Sequence, residues 1–401
     1  MAESTGSELR RTNLSAVLTL VHSRGAVTRA ELTRETGLNR STVGALVGEL
    51  VDLRLVRESE AAARHVGRPS LMIEPERRTV ALSVHPTPDA VTIGLVGLGG
   101  HVIKRIRYGT VQVPRPDEVV NIVSAVVAGM RSELDASYRT VGVGLAVPGL
   151  VRSRDGLVDA ALQLGWHAEP LAERLEQTLG LPVFAGGEAA AGALAESAFG
   201  VARQVRNLVF LTGGAGGVSA AVIGDGALLT GTDGYAGALG HTLVNSDGAL
   251  CRCGARGCLD TEVGPDALLA TLAAPGAGVG AGVGAGFDLD AAMHARRDDP
   301  DLIAVVHRQL DHLAVAVRTA VNLFDPELLV LGGYLGGLHA FAPERLPAAL
   351  ARSAMRAPGS GVRIAQAGLG DDLLMVGAAQ LALTRVLRDP AGLATRTRPA
   401  M

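Results

Sequence analysis

"TRAELTRETGLNRSTVGALVGELVDLRLV", residues 28–56, reads as two helices joined by a tight turn. Thr28 with Glu31 has the spacing of a capping box, in which each side chain satisfies an orphan amide at a helix start. Gly37 suits the left-handed residue that ends such a helix, and Asn39 or a neighbour can cap the next one. In that second helix Val43, Leu46, Val47 and Leu50 recur at i, i+3, i+4 and i+7, so they mark its core-facing stripe. Arg40, Ser41, Thr42, Gly44, Ala45 and Gly48 are left for the open side or the exposed helix start. The earlier apolar positions Leu14, Val17, Leu18 and Val21 supply a first helix, completing a three-helix unit.

A helix of this kind fits the DNA major groove, with its first residues at the base edges. Arg40 can meet guanine or phosphate, and Ser41 and Thr42 can meet phosphate or either base type. "HVGRPS", residues 65–70, follows at the place of a β-hairpin wing, where Arg68 can enter a narrow minor groove. Residues 10–70 carry ten arginines against six acids, a local balance of +4 on a chain whose net charge is −3. Affinity for nucleic acid is therefore expected in this part and not over the whole molecule. The plain alternative is a helical hairpin with a surface arginine. Gly44 and Gly48 each cost about 1 kcal/mol of helix stability relative to Ala; they permit close approach to DNA but remove side chains that could read it.

Beyond about residue 80 the pattern changes to short apolar strands, glycine turns and amphipathic helices. Residues 90–110 read as a hairpin, 140–151 as a buried strand ending at a Pro-Gly turn, and 207–228 as two strands around a glycine-rich turn. Leu302, Val306, Leu310, Leu313, Val317, Val321 and Phe324 mark a long helix before the strand-turn "ELLVLGG" at 327–333. Strands alternating with helices give an α/β fold. Residues 273–287, opening "AAPGAGVGAG", read as a flexible low-complexity insertion. Hydrophobic residues make up 48% of the 401 and charged residues 19%, so a packed core is expected. No bulky apolar run approaches the roughly 18–20 residues of a membrane span. The N-terminus lacks the layout of a signal peptide, and three cysteines cannot all pair internally, which points to the cytoplasm.

All three cysteines fall in "CRCGARGC", residues 251–258, with His241 ten residues upstream of the first. His241, Cys251, Cys253 and Cys258 make a Cys3His set, the usual closed environment of structural zinc. Thiolates suit a borderline-soft ion, and four protein ligands leave no position for an activated water. The Cys-x-Cys interval is tighter than usual, and a redox or incidental thiol cluster is the competing explanation.

The order "GRP", "VGVGLAVPGLV", "LGW", "GYAGALGH", "CRCGARGCLD" and "NLFDPELLVLGG" resembles the ROK family of repressors and sugar kinases over almost the whole chain. The resemblance implies a winged helix-turn-helix over residues 1–80 fused to an actin-like (ribonuclease H-like), two-lobed sugar-kinase fold. Its N-terminal lobe would span 81–198, completed by a C-terminal helix at 371–388, and its C-terminal lobe 199–370 with the zinc motif. It also implies the zinc set above, a homodimer or homotetramer on an inverted-repeat double-stranded DNA operator, and a small ligand, a sugar or sugar derivative, between the lobes. Glu188, His241 and Asp260 match effector-binding positions, whereas Gly187 and Ala238 stand where the family has sugar-binding Asn and Glu. The family's kinases open with a glycine-bearing phosphate loop. Here the matching place, "HPTPDA" at 85–90, holds Pro86 and Pro88, which have no amide to donate. The resemblance therefore favours a non-enzymatic repressor of carbohydrate-linked genes over the alternative, an ATP-dependent sugar kinase. A third reading makes the cysteine cluster a zinc or thiol sensor.

Overall fold

The structure is a computed structural model describing residues 2–60, 71–214, 216–272, 289–353, 355 and 361–393. The head begins with the helices Ala2–Arg24, Arg29–Thr36 and Arg40–Asp52. The capping box is present: Thr28 accepts from the Glu31 amide, and Glu31 accepts from the Thr28 amide. Gly37 ends this helix at φ 69°, and Asn39 caps the next by accepting from the Thr42 amide. Val43, Leu46, Val47 and Leu50 are all buried, against Leu14, Val17, Leu18 and Val21 of the first helix. The strands Val56–Glu60 and Leu71–Pro75 form an antiparallel hairpin, joined at its other edge by Val27–Thr28. The hairpin's tip, including Arg68, lies outside the described residues, as does the glycine-rich stretch 273–287.

Two five-stranded sheets follow, and they share one topology. In the first, Thr79–Thr87, Ala90–Gly97 and Val102–Gly109 run as an antiparallel meander. Arg139–Val147 and then Val183–Gly187 add in parallel on the other side of Thr79–Thr87. In the second, Leu208–Gly214, Gly217–Gly224 and Ala227–Leu228 form the meander. Leu328–Gly333 and Arg363–Gln366 add in parallel. The helix Pro116–Ser137 packs on the first sheet and Pro300–Phe324 on the second, each through a stripe of buried aliphatic side chains. The architecture is the expected α/β, two-lobed arrangement behind a helix-turn-helix head. Among the described residues, no helix is long and apolar enough to cross a membrane.

The stretch matching the kinases' phosphate loop is partly strand. His85 and Pro86 continue Thr79–Thr87, pairing with Thr92 and Val91, so the chain turns only at Pro88–Asp89. Proline is tolerated there because the neighbouring strand Arg139–Val147 stops pairing at Val84, and no partner awaits the missing amide.

The helix Leu373–Arg388 returns from the chain end to lie on the first sheet and against the helix Glu188–Phe199. The approach is close because small residues meet small residues: Ala146, Ala191 and Ala378 form one buried cluster. A Cβ on Gly144 would sit 1.6 Å from the Ala378 carbonyl oxygen, and one on Gly377 would sit 2.4 Å from that of Ala191. Both obstacles are backbone atoms, which cannot swing aside. Gly144→Ala should therefore destabilise the chain by about 3 kcal/mol or more, read as a lowered midpoint in thermal or urea unfolding; a variant as stable as the parent would mean the helix is not seated here.

Candidate regulatory and metal sites

The exposed start of the helix Arg40–Asp52 is held by its cap. Asn39 Oδ1 accepts from the Ser41 hydroxyl at 2.7 Å and from the Thr42 amide at 2.8 Å. Arg40 and Ser41 are exposed and Thr42 is half-buried, so the first turn presents a guanidinium beside polar groups. A Cβ on Gly44 or Gly48 would meet no atom within 4 Å, so both positions lie on an open face.

The second site is the thiol cluster. His241 closes the short turn Leu239–His241, and Gly254 turns the chain between the cysteines at φ 93°. The ligand atoms of His241, Cys251, Cys253 and Cys258 lie within 4.8 Å of one another. Cys251 Sγ is 3.6 Å from His241 Nδ1, and Cys253 Sγ is 3.7 Å from Cys258 Sγ. A tetrahedron with metal–sulfur bonds of about 2.3 Å and metal–nitrogen bonds of about 2.0–2.1 Å has edges of about 3.8 Å (S–S) and about 3.6 Å (S–N). The observed spacings fit these edges. Without a cation the surroundings favour the neutral thiol over the thiolate at Cys258: burial, then the Cys253 and Cys251 sulfurs, push it up to about 12. A cation at the centre reverses that balance.

The third site is a cavity of about 500 Å³ between the lobes, with Glu188 and Gly187 on one side and Tyr235 and Ala238 on the other. Glu188 opens the helix Glu188–Phe199 and is 4% exposed. Its Oε1 lies 2.6 Å from His85 Nε2. Behind this pair is a second hollow of about 390 Å³, lined by His85, Thr92, Arg105, Arg107 and the turn glycines Gly213, Gly214 and Gly333. Arg105 pairs with Asp372 and Arg107 with Asp89. The Tyr334 ring packs against Gly213, and its buried hydroxyl has no partner among the described residues.

Of the three residues assigned to an effector, only Glu188 lines the larger cavity. Asp260 Oδ1 accepts from the Val218 amide at 2.6 Å, and His241 faces the thiols. Gly187 is narrow for a structural reason, since a Cβ there would lie 3.1 Å from the Gly149 carbonyl oxygen. The residues that sequence reasoning missed are Leu381, Thr384 and Arg388, which wall the cavity from the helix Leu373–Arg388. Nothing local announced them, because they lie nearly two hundred residues from Glu188.

That helix also belongs to the head. Ala379, Ala382, Leu383 and Val386 are buried in the same cluster as Leu14, Val17, Leu46 and Leu50. A buried hydrogen bond crosses the joint: His22 Nδ1 accepts from the Gly99 amide at 3.0 Å. The Gln380 amide presents both its oxygen, at 3.2 Å, and its nitrogen, at 3.0 Å, to His22 Nε2. With Nδ1 accepting, Nε2 carries the proton, so the oxygen is its partner.

Known proteins place this architecture. The profile described as the ROK family matches residues 88–385. A xylose repressor of Caldicellulosiruptor bescii is 25% identical over 95% of this chain and 98% of its own length. A glucokinase of Thermotoga maritima is 30% identical but spans only 60% of this chain, and 78% of the kinase. A solved ROK family transcriptional regulator, described as a homologue of the Escherichia coli Mlc protein, superposes with a TM-score of 0.76. It is 23% identical and covers 96% of this chain and 98% of its own.

Burial pushes His22 down to about 4, the Gln380 hydrogen bond only partly offsetting it. The imidazole thus stays neutral in the fold while an unfolded histidine takes a proton near its usual 6.5. Its contribution is complete above about pH 6.5 and is lost as pH falls towards 4, by about 3 kcal/mol in all. Unfolding free energies of the parent and His22→Gln should therefore converge with acidification over this window; parallel pH profiles would contradict the assignment. With the head, two like-built lobes and their cavity all accounted for, the profile match identifies the chain as a member of the ROK family.

Proposed function

We propose that the chain is a cytoplasmic, DNA-binding transcriptional repressor of carbohydrate-linked genes, controlled by a small ligand in the cavity between the lobes. The observation that carries this reading is the double membership of the helix Leu373–Arg388. Leu381, Thr384 and Arg388 wall the cavity while Ala379, Leu383 and Val386 sit in the core of the head. A ligand that binds one setting of this helix better than another shifts the head with it, in proportion to that difference in affinity. The relatives matched over 95% of this chain are named as xylose repressors, one of them putative, which supports the same reading.

On DNA, Arg40, Ser41 and Thr42 approach the major groove, and Arg68 of the wing approaches the minor groove. Ser41 enters with its hydroxyl already committed to Asn39, so Arg40 carries most of the direct contact. Two copies on an inverted repeat would set their recognition helices about 34–36 Å apart, one turn of the duplex, as a homodimer or as half of a homotetramer.

His241, Cys251, Cys253 and Cys258 would hold a zinc ion. Bound there, zinc supplies four strong bonds that fix the loop over 241–260 and no reactive position. The loop in turn fixes Asp260, whose carboxylate anchors the Val218 amide at the start of the strand beside the cavity.

Phosphoryl transfer is not part of the proposal. Where a kinase would need a free carboxylate facing a phosphate cradle, Glu188 is hydrogen-bonded to His85, and Pro86 interrupts the run of amides. The arginines at the smaller hollow are paired with carboxylates, which opposes capture of an anion there.

Genome-wide mapping of bound DNA tests the main reading: discrete sites containing an inverted repeat upstream of sugar-handling genes are expected, and uniform background occupancy would refute it. On such a site Arg40→Ala should weaken binding by about 1–3 kcal/mol, roughly five- to 150-fold in Kd, without lowering the melting temperature. The purified chain should carry about one zinc ion, and Cys253→Ser should release it and raise hydrogen exchange over 241–260. Metal content by mass spectrometry decides this, and full occupancy in the variant would exclude Cys253 as a ligand.

A further inference from the structure

The cavity between the lobes is poor in the groups that a bare sugar needs. Most of its polar side chains are already committed to other protein atoms. Arg154 pairs with Asp233 across the lobes, Asp155 with Arg152, and the Tyr235 hydroxyl donates to Asp159. The Thr384 hydroxyl donates to the Gln380 carbonyl at 2.6 Å. On the floor Glu188 Oε1 is held by His85. Oε2 carries no further hydrogen bond among the described residues and lies toward Gly214 of the smaller hollow, while Glu188 itself borders both spaces. Glu188 is thus the one buried carboxylate among the described side chains that line the cavity.

Its lining is mixed, with apolar side chains along much of the wall and part of the rim. Phe184, Leu194, Leu228 and Leu381 line it, and two leucines flank its opening from opposite lobes. Leu150 is 37% and Leu229 45% exposed, among the large hydrophobic side chains that the fold leaves in water. A volume of about 500 Å³ lies within the roughly 300–1,000 Å³ of pockets that enclose drug-sized ligands. A single sugar ring on Glu188 would fill the floor, leave the rim uncovered and find few partners for its remaining hydroxyls, each of which costs affinity when buried unpaired.

We propose that the effector is a glycoside, or a closely related conjugate, with an apolar aryl or alkyl group. A hydroxyl of its sugar part donates to Glu188, and its apolar part runs outward between Leu150 and Leu229. This rests on reading the cavity as the regulatory site and adds the ligand's class. The sugar ring alone is the weak half of the ligand; covering the two exposed leucines is the larger favourable term.

The test is calorimetric titration of the zinc-loaded full chain with glucose, xylose, galactose, mannose and N-acetylglucosamine, each free and as both anomers of its p-nitrophenyl glycoside. Free p-nitrophenol is the control for the apolar group alone. At least one glycoside should bind ten or more times tighter than both its parent sugar and p-nitrophenol. Leu229→Asn and Leu150→Asn, both at exposed positions and checked by melting, should erase most of that margin while leaving the parent sugar's weak binding in place. A free sugar binding as tightly as its glycoside would overturn the proposal, and so would a panel in which no glycoside binds. Binding of mapped genomic sites in the absence of any ligand is scored separately. Its loss would count against the repressor reading, whereas its retention alongside either adverse titration would count against the ligand class alone.

Discussion

The contact on which the rest of the molecule depends is one of backbone against backbone. The carbonyl oxygen of Ala378 lies where a Cβ of Gly144 would be, only 1.6 Å from that position, and Gly377 repeats the arrangement against the carbonyl of Ala191. Four small residues thus allow a helix from the end of the chain to lie directly on the first sheet and on the helix Glu188–Phe199. Interiors packed this tightly transmit displacement rather than absorb it. Because the helix Leu373–Arg388 also enters the core of the head, the head is not a module on a loose tether. It is fastened to the sheet that forms one wall of the cavity.

The helix Glu188–Phe199 shares this fixation, and its two glutamates do opposite work. Glu196 is fully buried and accepts from the amides of Val201, Gly368 and Leu369, which ties the helix end to the segment leading into Leu373–Arg388. Glu188, two turns earlier, faces the cavity and meets His85. One carboxylate is satisfied by three backbone donors and is structural. The other has a single side-chain partner and an oxygen to spare, which is the condition of a group available to a ligand.

How much of this was legible depended on the range of the interaction. Thr28, Glu31, Gly37 and Asn39 act within three or four residues, and the structure has each where the sequence placed it. The buried stripe Val43, Leu46, Val47 and Leu50 is equally local. The thiol cluster was visible because its four members fall within eighteen residues, from His241 to Cys258. His85 and Glu188 are 103 residues apart, and His22 and Gln380 are 358 apart. Neither pair leaves a periodicity, and no spacing rule joins them. That His85 and Pro86 continue a strand was hidden for a related reason: proline ends a strand when a partner needs its amide, and the partner strand's end at Val84 is a tertiary fact. The likeness between the two sheets was also hidden, since shared topology needs no shared residues.

Control by a ligand further requires that the lobes be able to move: the helix Glu188–Phe199 joins them through a buried apolar contact with the second sheet, whereas the contacts at the rim of the cleft are polar. Arg154 and Asp233 are 64% and 41% exposed and 3.4 Å apart, an ion pair worth about 0–1 kcal/mol in water. The Ser153 amide bonded to the Asp233 carbonyl at 3.0 Å adds a single hydrogen bond at the rim, worth about 1 kcal/mol net. Reversing a two-state population from about 1:99 to 99:1 takes about 5.5 kcal/mol of differential binding. A ligand of micromolar affinity binds with about 8 kcal/mol, so it can supply that difference only if most of its contacts form in one lobe arrangement. A ligand seated on one wall would bind both arrangements alike and regulate nothing. One that touches Leu150 and Leu381 on the first lobe and Leu229 on the second satisfies the requirement, because its apolar surface is fully covered at only one separation of the lobes.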